Sequence, residues 1–527
     1  MTNFWKFPYP SQRMPVFARN VVATSQPLAS QAGLRMLLKG GNAIDAALAA
    51  AMTLTVVEPT SNGIGSDAFA LVWDGQMLHG LNGSGRSPLA WSLERYAGLQ
   101  EMPAFGWDAV TVPGAVDVWR QLSDRFGNLP FADLFVPAIE YARNGFAVSP
   151  ITAERWADAA GIYRSFPDFC STFLPAGRAP YSGEWFRCPD QARTLEAIAE
   201  SKGESFYRGD LAQKIVDCAQ SNDGAMTLED LADHHSEWIE PISIEYQGIH
   251  LHEIPPNGQG LATLIALGIL REIDMSPYPV DSADSIHLQV EAMKIAFAEA
   301  YRHITDGAFM KVSALDFLAP GFLKRRAKGI SISQAACPES EIPTDRGTVY
   351  LTTADKTGMM VSFIQSNYLG FGSGIVIPDT GISMQNRGLG FVLTPDHPNC
   401  VAGGKRPYHT IIPGFVTREK QPLISFGVMG GSMQPQGHLQ MMVRIFDYGQ
   451  NPQAACDAPR WHVDENFNLA LETGFSSRVV SELERRGHRI VKNPPTHLFG
   501  GAQVIHRLEN GYCAASDPRK DGQAIGY

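Results

Sequence analysis

Thr348 follows Gly347 and opens an alternating stretch, "TVYLTTA" (Thr348–Ala354), that ends in the turn "DKTG". The pattern reads as the first strand of a hairpin whose return is "MMVSFIQS". A threonine at the head of a strand is ordinary while an amide bond precedes it. With that bond cut, the residue carries a hydroxyl and a free amine two carbons apart. The amine is then the base that a weakly nucleophilic alcohol needs. Its unperturbed pKa of about 7.7–8.0 leaves a usable neutral fraction near neutral pH. Glycine at 347 offers the least steric obstruction to breaking the bond. Two other stretches suit acyl transfer. "GVMGGSMQPQG" puts Gly430 and Gly431 between an apolar strand and a helix, where backbone N–H groups can face a developing oxyanion. "SNYLGFGSG" leaves the hairpin with small and hydroxyl residues, and Ser366 at its start can support a nucleophile. Each stretch also has a plain structural reading: a strand-initiating threonine, a strand-to-helix turn and a loop.

The elements that must position these residues are legible in outline. Residues 31–58 carry two helix signals separated by "GGN", with Gly40–Gly41 as a C-cap, Asn42 as an N-cap and Asp45 favouring the dipole. "AFALVW" (Ala68–Trp73) has strand length. "VPGAVDVWRQLSDRFG", "FADLFVPAIEYARNGF" and Ala283–Ile304 read as helices, and "PISIEYQGIHLHEIP" as strands between them. After Thr348, "HTIIPGFVTR" and "LISFGVMGG" read as a second hairpin, and Leu439, Met442, Val443 and Phe446 share one helical face. "NPQAACDAP" offers Asn451 as a cap and Pro452 at the first helical position. Hairpins with helices throughout predict α+β, with helices covering a sheet core. Arg325–Gly347 is polar and short of periodicity, the best candidate for a segment that can be exposed and cut.

Composition excludes several classes. The 527 residues are 44% hydrophobic and 18% charged, ordinary for a large globular protein. A net charge of -11 with no Lys/Arg run argues against nucleic-acid binding. Seven cysteines without a C-x-x-C pair support neither a zinc site nor a disulfide framework. "HLHE" (250–253) and the pair 234–235 lack matching distant ligands, so no metal is expected. "GIGSDA" (63–68) resembles a dinucleotide fingerprint, but a strand follows it where a helix is required. "GSG" at 83–85 lacks the strand–Ser–helix elbow of an esterase. The N-terminus shows no secretory pattern, and the most apolar stretch, Ala43–Val57, is too short to span a bilayer. A cytoplasmic protein with no membrane partner is the expectation.

The whole chain resembles the γ-glutamyltranspeptidase family of N-terminal-nucleophile hydrolases. The resemblance runs through "GGNAIDAALAAAMTLTVVEPTSNGIG", "VPGAVDVW", "ARNGFAVS", "PPNGQGLA", "TVYLTTADKTGMMVSFIQSNYLGFGSGI", "GKRPYHTIIP" and "FGVMGGSMQPQGHLQMM". It implies a four-layer αββα sandwich and self-cleavage before a threonine. The large subunit would be 1–347 and the small subunit 348–527, together one intertwined domain, with Gly347–Thr348 as the cleavage site. Thr348 matches the nucleophile, Ser366 the hydroxyl residue (usually threonine) that hydrogen-bonds it, and Gly430 and Gly431 the oxyanion pair. The implied chemistry needs no cofactor and passes a γ-glutamyl or similar dicarboxylic acyl group from a small amide to water or an amine.

The substrate-binding positions depart from the family pattern. His409 and Thr410 stand where γ-glutamyl-specific members have two serines after K-R-P. Their carboxylate-binding arginine aligns near Ser84, with Arg86 two residues on. Arg387 and Gly390 replace the Gln and Asp that hold an α-ammonium, and Tyr368 replaces an Asn. The segment from Phe391 to Lys405 is short, which implies a more open site. Arg387 can only donate, so it repels an ammonium and suits a carboxylate. A glutaryl- or cephalosporin-type acylase with little glutathione activity is therefore an alternative, as is an uncleaved binding paralogue.

Overall fold

A computed structural model describes residues 12–338 and 347–527; part of the polar segment before Gly347 and the first eleven residues lie outside the described residues. Two seven-stranded sheets organise it. The first runs in the order Gln523–Gly526, Val21–Thr24, Val349–Ala354, Met360–Ser366, Asp67–Trp73, Leu78–Gly83 and Glu237–Ile239. The second runs Val16–Ala18, Gly511–Ser516, Gly501–Leu508, Gln421–Met429, Gly414–Arg418, Ile249–Glu253 and Ile242–Tyr246. All neighbouring strands in both are antiparallel.

The period-2 alternation of strands explains how both faces of each sheet are buried. Val349, Leu351, Val361, Phe363, Ala68, Ala70 and Val72 pack with helices including Ala43–Val57. Their alternates Tyr350, Ala354, Met360, Ile364, Phe69 and Leu71 pack against Phe415, Met429, Ile505 and Ala514 of the second sheet. The second sheet's other face, with Val416, Ile424, Phe426, Val428 and Val504, is covered by helices Gly260–Leu270, Ala283–His303 and Met433–Met442. The architecture is the αββα sandwich. The two sheets approach closely where Gly427 faces the ring of Tyr350; a Cβ there would enter the ring.

Helix Ala43–Val57 is buried along its whole length. A side chain of its Leu, Ile, Val or Met type contributes about 1.5–3 kcal/mol when fully buried. Asn42 and Asp45 form a reciprocal capping box, and the Asp45 carboxylate also accepts the N–H groups of Asn128 and Leu129 at 3.1 and 3.2 Å. Among the described residues no helix is long and apolar enough to cross a membrane.

Two expected elements differ. The strand read from His409 begins only at Gly414. Pro413 has no N–H for a ladder, and the backbone of 409–412 bonds instead to Asn257, Gln259 and the Gln434 side chain. The helix read through Phe446 changes at Val443 into a π-helical turn, Val443–Asp447.

Candidate active site

Register places three side chains in a row. Val349 pairs with Gln365, so Thr348, one step earlier, stands beside Ser366; Ser366 in turn pairs with Asp67. By the alternation above, all three lie on the face toward the second sheet, at one end of the first.

Around Thr348 the contacts close into a ring. Ser366 Oγ donates to the Gly347 carbonyl at 2.9 Å, and Thr348 Oγ1 donates to the same oxygen at 2.5 Å. Thr348 Oγ1 is 3.4 Å from Ser366 Oγ and accepts from Gln434 Nε2 at 3.3 Å. Ser366 Oγ also accepts the Tyr368 N–H at 2.8 Å. Tyr368 lays its ring under the Arg387 guanidinium, 4.6 Å from the centroid, and Arg387 Nη1 donates to Thr410 Oγ1 at 2.7 Å. The Thr410 carbonyl accepts from Gln259 Nε2, which also donates to the Gly431 carbonyl at 3.0 Å. The Gln434 N–H donates to that same carbonyl, closing the circle at 3.1 Å.

Glycine is required at two places on this ring. Gly347 has φ +104°, and a Cβ there would lie 2.6 Å from Gly370 N. Gly430 and Gly431 have φ +125° and +57°, forming the turn into helix Met433–Met442 with their N–H groups at its N-terminal end. Tyr368 adopts φ +78° without being glycine, a conformation that costs on the order of 1–3 kcal/mol and is held by the contacts just named.

Thr348, Ser366, Tyr368, Arg387, His409 and Thr410 are all buried, Thr348 at 1% exposure. The open approach expected from the short 391–405 segment is absent at Thr348, because the Gly347 peptide sits against the Tyr368–Gly370 loop. His409 packs its ring on Phe69 and donates from Nε2 to Asp67 Oδ2 at 3.0 Å, while Nδ1 faces the Ile411 N–H. Burial, with Arg387 and Arg406 nearby, drives the His409 pKa well below the ordinary value, so the ring is neutral. Burial pushes Asp67 up to about 7 against the pull of Arg387 and the Gly114 N–H.

Arg86 is half-exposed and held by Asp306 at 2.8 Å and Glu237 at 3.2 Å, away from the ring. Arg406 also pairs with Glu237, at 2.9 Å. Asp67, Gln259, Gln434 and Arg406 belong to the site but did not stand out in the sequence. For Asp67 a signal existed: one acid opens an otherwise uncharged strand, inside a glycine-rich stretch that invites a nucleotide-binding reading. The two glutamines lie in loop and helix starts where glutamine is unremarkable.

Among the described residues one group, His287, Glu291 and His488, could surround a cation. Lys294 Nζ already lies there, 2.9 Å from Glu291 Oε1 and 3.3 Å from His488 Nδ1. That ammonium supplies the positive charge a metal would bring.

Comparison with known proteins agrees with this architecture. Residues 29–527 match the family model described as gamma-glutamyltranspeptidase. A Bacillus subtilis protein, glutathione hydrolase-like YwrD proenzyme, is 37% identical over 96% of this chain and 98% of its own length. The oxamate amidohydrolase proenzyme of Klebsiella pneumoniae is 36% identical over 95% and 97%. The crystal structure of a cephalosporin acylase from Bacillus halodurans superposes with a TM-score of 0.95 at 49% identity, covering 99% of this chain and 98% of that one. The chain belongs to the gamma-glutamyltranspeptidase family and is an enzyme of its hydrolase and acyltransferase type.

Proposed function

We propose that this protein cleaves itself before Thr348 and then hydrolyses mono-amides of dicarboxylic acids, with Thr348 as nucleophile and Arg387 as the grip for the free carboxylate. The observation that carries the reading is the ring itself, which puts a buried guanidinium two contacts from Ser366 and three from Thr348.

In the uncleaved chain the Gly347 carbonyl is polarised by the Ser366 hydroxyl. Thr348 Oγ1 adds to that carbonyl carbon, the C–N bond breaks, and the amine receives the hydroxyl proton. Water then hydrolyses the resulting ester and leaves a carboxylate on Gly347. In the mature site the freed amine takes the Oγ1 proton as Oγ1 attacks a substrate amide, and the N–H groups of Gly430 and Gly431 face the oxyanion. The leaving amine departs with that proton, and water or a second amine releases the acyl group.

The acyl group is selected by charge. A γ-glutamyl ammonium beside Arg387 costs about 4 kcal/mol at a separation of roughly 4 Å and an effective dielectric of roughly 20. A carboxylate can instead be gripped bidentately. The names of two relatives support this: oxamate is the mono-amide of a dicarboxylic acid, and a cephalosporin acylase removes an acyl group from an amide.

The test compares glutaryl and γ-glutamyl p-nitroanilides on the purified, mass-verified enzyme. The glutaryl amide should be turned over at least as efficiently, and Arg387→Gln should lower its kcat/KM by about 30-fold or more, as expected for an unpaired buried charge. Efficient turnover of the glutamyl amide with none of the glutaryl amide sinks the proposal. A chain that stays whole and inert supports the binding paralogue instead.

A further inference from the structure

Asp67 is fully buried and has no step in the scheme above, yet it stands beside Ser366 in register and accepts from His409 Nε2 at 3.0 Å. Gly65 bridges Met384 in parallel, and the Gln385 N–H donates to the Gly65 carbonyl at 3.0 Å. The chain carrying Arg387 therefore runs alongside the chain carrying Asp67, and adjacent residues link the two: His409 bonds to Asp67 Oδ2 at 3.0 Å, and Thr410 accepts from Arg387 Nη1 at 2.7 Å.

Arg86 and Arg406 are paired with Asp306 and Glu237, so the inner charges of the site are those of Arg387 and Asp67. The other titratable groups packed around Asp67 are neutral: burial holds His409 well below its ordinary pKa and Tyr207 well above its own, and His234, behind Gly114, is pushed down to about 4. A substrate carboxylate entering against Arg387 would make the region net negative unless one group takes up a proton.

We infer that Asp67 is a specificity-determining residue that couples carboxylate binding to proton uptake: it is the resident counter-ion of Arg387, and it gives up that role by accepting a proton when the substrate's carboxylate takes its place. The inference rests on the dicarboxylic reading above. The step adds one proton from solvent to the Asp67 carboxylate, while His409 keeps its proton on Nε2, donated to Asp67, and its Nδ1 as acceptor of the Ile411 N–H. Asp67, pushed up to about 7, is the member of the cluster placed to change charge near neutrality. The enzyme would therefore favour dicarboxylic mono-amides at mildly acid pH and lose affinity for them as pH rises, without the same change for neutral acyl groups.

The experiment measures glutarate binding to the mature enzyme by calorimetry at about pH 8, in two buffers of different ionisation enthalpy, and the dissociation constant from about pH 6 to 9. The expected result is an uptake approaching one proton per glutarate and a dissociation constant that rises about tenfold per pH unit above neutrality. In Asp67→Asn both effects should vanish, and glutarate should bind more tightly than to wild type at the alkaline end. Uptake near zero in the wild type, or uptake that persists in Asp67→Asn, overturns the inference. Where Asp67→Asn does not fold, an infrared difference spectrum on wild type with ¹³C-labelled glutarate decides: the stretch of a new protonated carboxyl supports it, and its absence overturns it. Failure of glutarate to bind at any pH defeats the dicarboxylic reading itself, and the inference falls with it.

Discussion

Two buried polar clusters lie on either side of the segment that leads to Thr348. At the first, Lys294 Nζ donates to Glu291 Oε1, to the Ala336 carbonyl at 2.9 Å and to His488 Nδ1. His488 Nε2 donates to His287 Nδ1 at 2.8 Å, and His287 Nε2 to the Ser331 carbonyl at 2.7 Å. Glu291 Oε2 accepts the Ala336 N–H at 2.8 Å. Every proton has an acceptor, so this cluster is a clamp on residues 331–336. The Thr348 ring contains fewer charges: the hydroxyls of Thr348, Ser366 and Thr410, two glutamine amides, three glycines and one guanidinium. Two of its hydroxyls, those of Thr348 and Ser366, converge on one backbone carbonyl, that of Gly347. A dense set of His, Glu and Lys is thus the less reactive of the two. Reactivity follows convergence on a bond that can break, while titratable side chains that satisfy one another hold structure.

The sharpest break in that contrast is Thr348→Ala. It should leave one full-length chain by intact mass where wild type yields two, and lower turnover by on the order of 10⁴-fold or more. Cleavage that persists in the variant would remove Thr348 from the centre of its ring. Next in size, Lys294→Met leaves Glu291 buried without its cation and should cost about 3–5 kcal/mol in urea unfolding, with kcat per folded molecule unchanged. Adding Glu291→Gln should recover most of that loss. If Lys294→Met blocked cleavage at full stability, the clamp would be part of the machinery and the distinction would fail.

Much of this was legible in the sequence because it is local. Capping residues Asn42 and Asp45, the hairpin after Thr348 and the Gly430–Gly431 turn are each set by neighbours within a few positions. Ser366 was legible too, since the hairpin's own register carries it back beside Thr348. What escaped depends on contacts between distant segments. The partners of Asp67 are 342 positions away at His409 and 47 away at Gly114. Nothing near Pro413 announces that the preceding backbone bonds to Asn257 and Gln434 rather than to a strand. Arg86 looked available for a carboxylate because Asp306 and Glu237, which hold it, lie far along the chain.

A smaller effect tests convergence within the Thr348 ring. Ser366→Ala removes the donor to the scissile carbonyl and the acceptor for the Tyr368 N–H, while the fold around it is unchanged in shape. A buried hydrogen bond lost in this way is worth about 1–3 kcal/mol, so fragments should appear roughly 10- to 100-fold more slowly on a gel time course. Ser366→Thr should restore the rate. Maturation at the wild-type rate in Ser366→Ala would mean that the carbonyl is not polarised by this hydroxyl.

The slightest effect is also the one in which the two clusters oppose each other. Burial, reinforced by Lys294 and His287, lowers His488 to about 3. Between there and the ordinary histidine value of about 6.5, the unfolded chain binds more protons than the folded one, so this residue's contribution to stability is lost as pH falls through that window. Asp67 has the opposite sign. Its carboxyl, raised to about 7, is protonated in the folded state before it is in the unfolded one, so acidification from neutrality stabilises the fold there. Each slope approaches about 1.4 kcal/mol per pH unit at most, and in wild type they partly cancel between about pH 5 and 6.5. Asp67→Asn should therefore steepen the loss of urea stability on acidification, and His488→Gln should flatten or reverse it. If both variants kept the wild-type slope, neither buried group would hold its proton as its surroundings dictate. If the slopes diverge as stated, the Lys294 cluster is the part of the molecule that acid loosens, and the charge of the Thr348 site is the part that acid relieves.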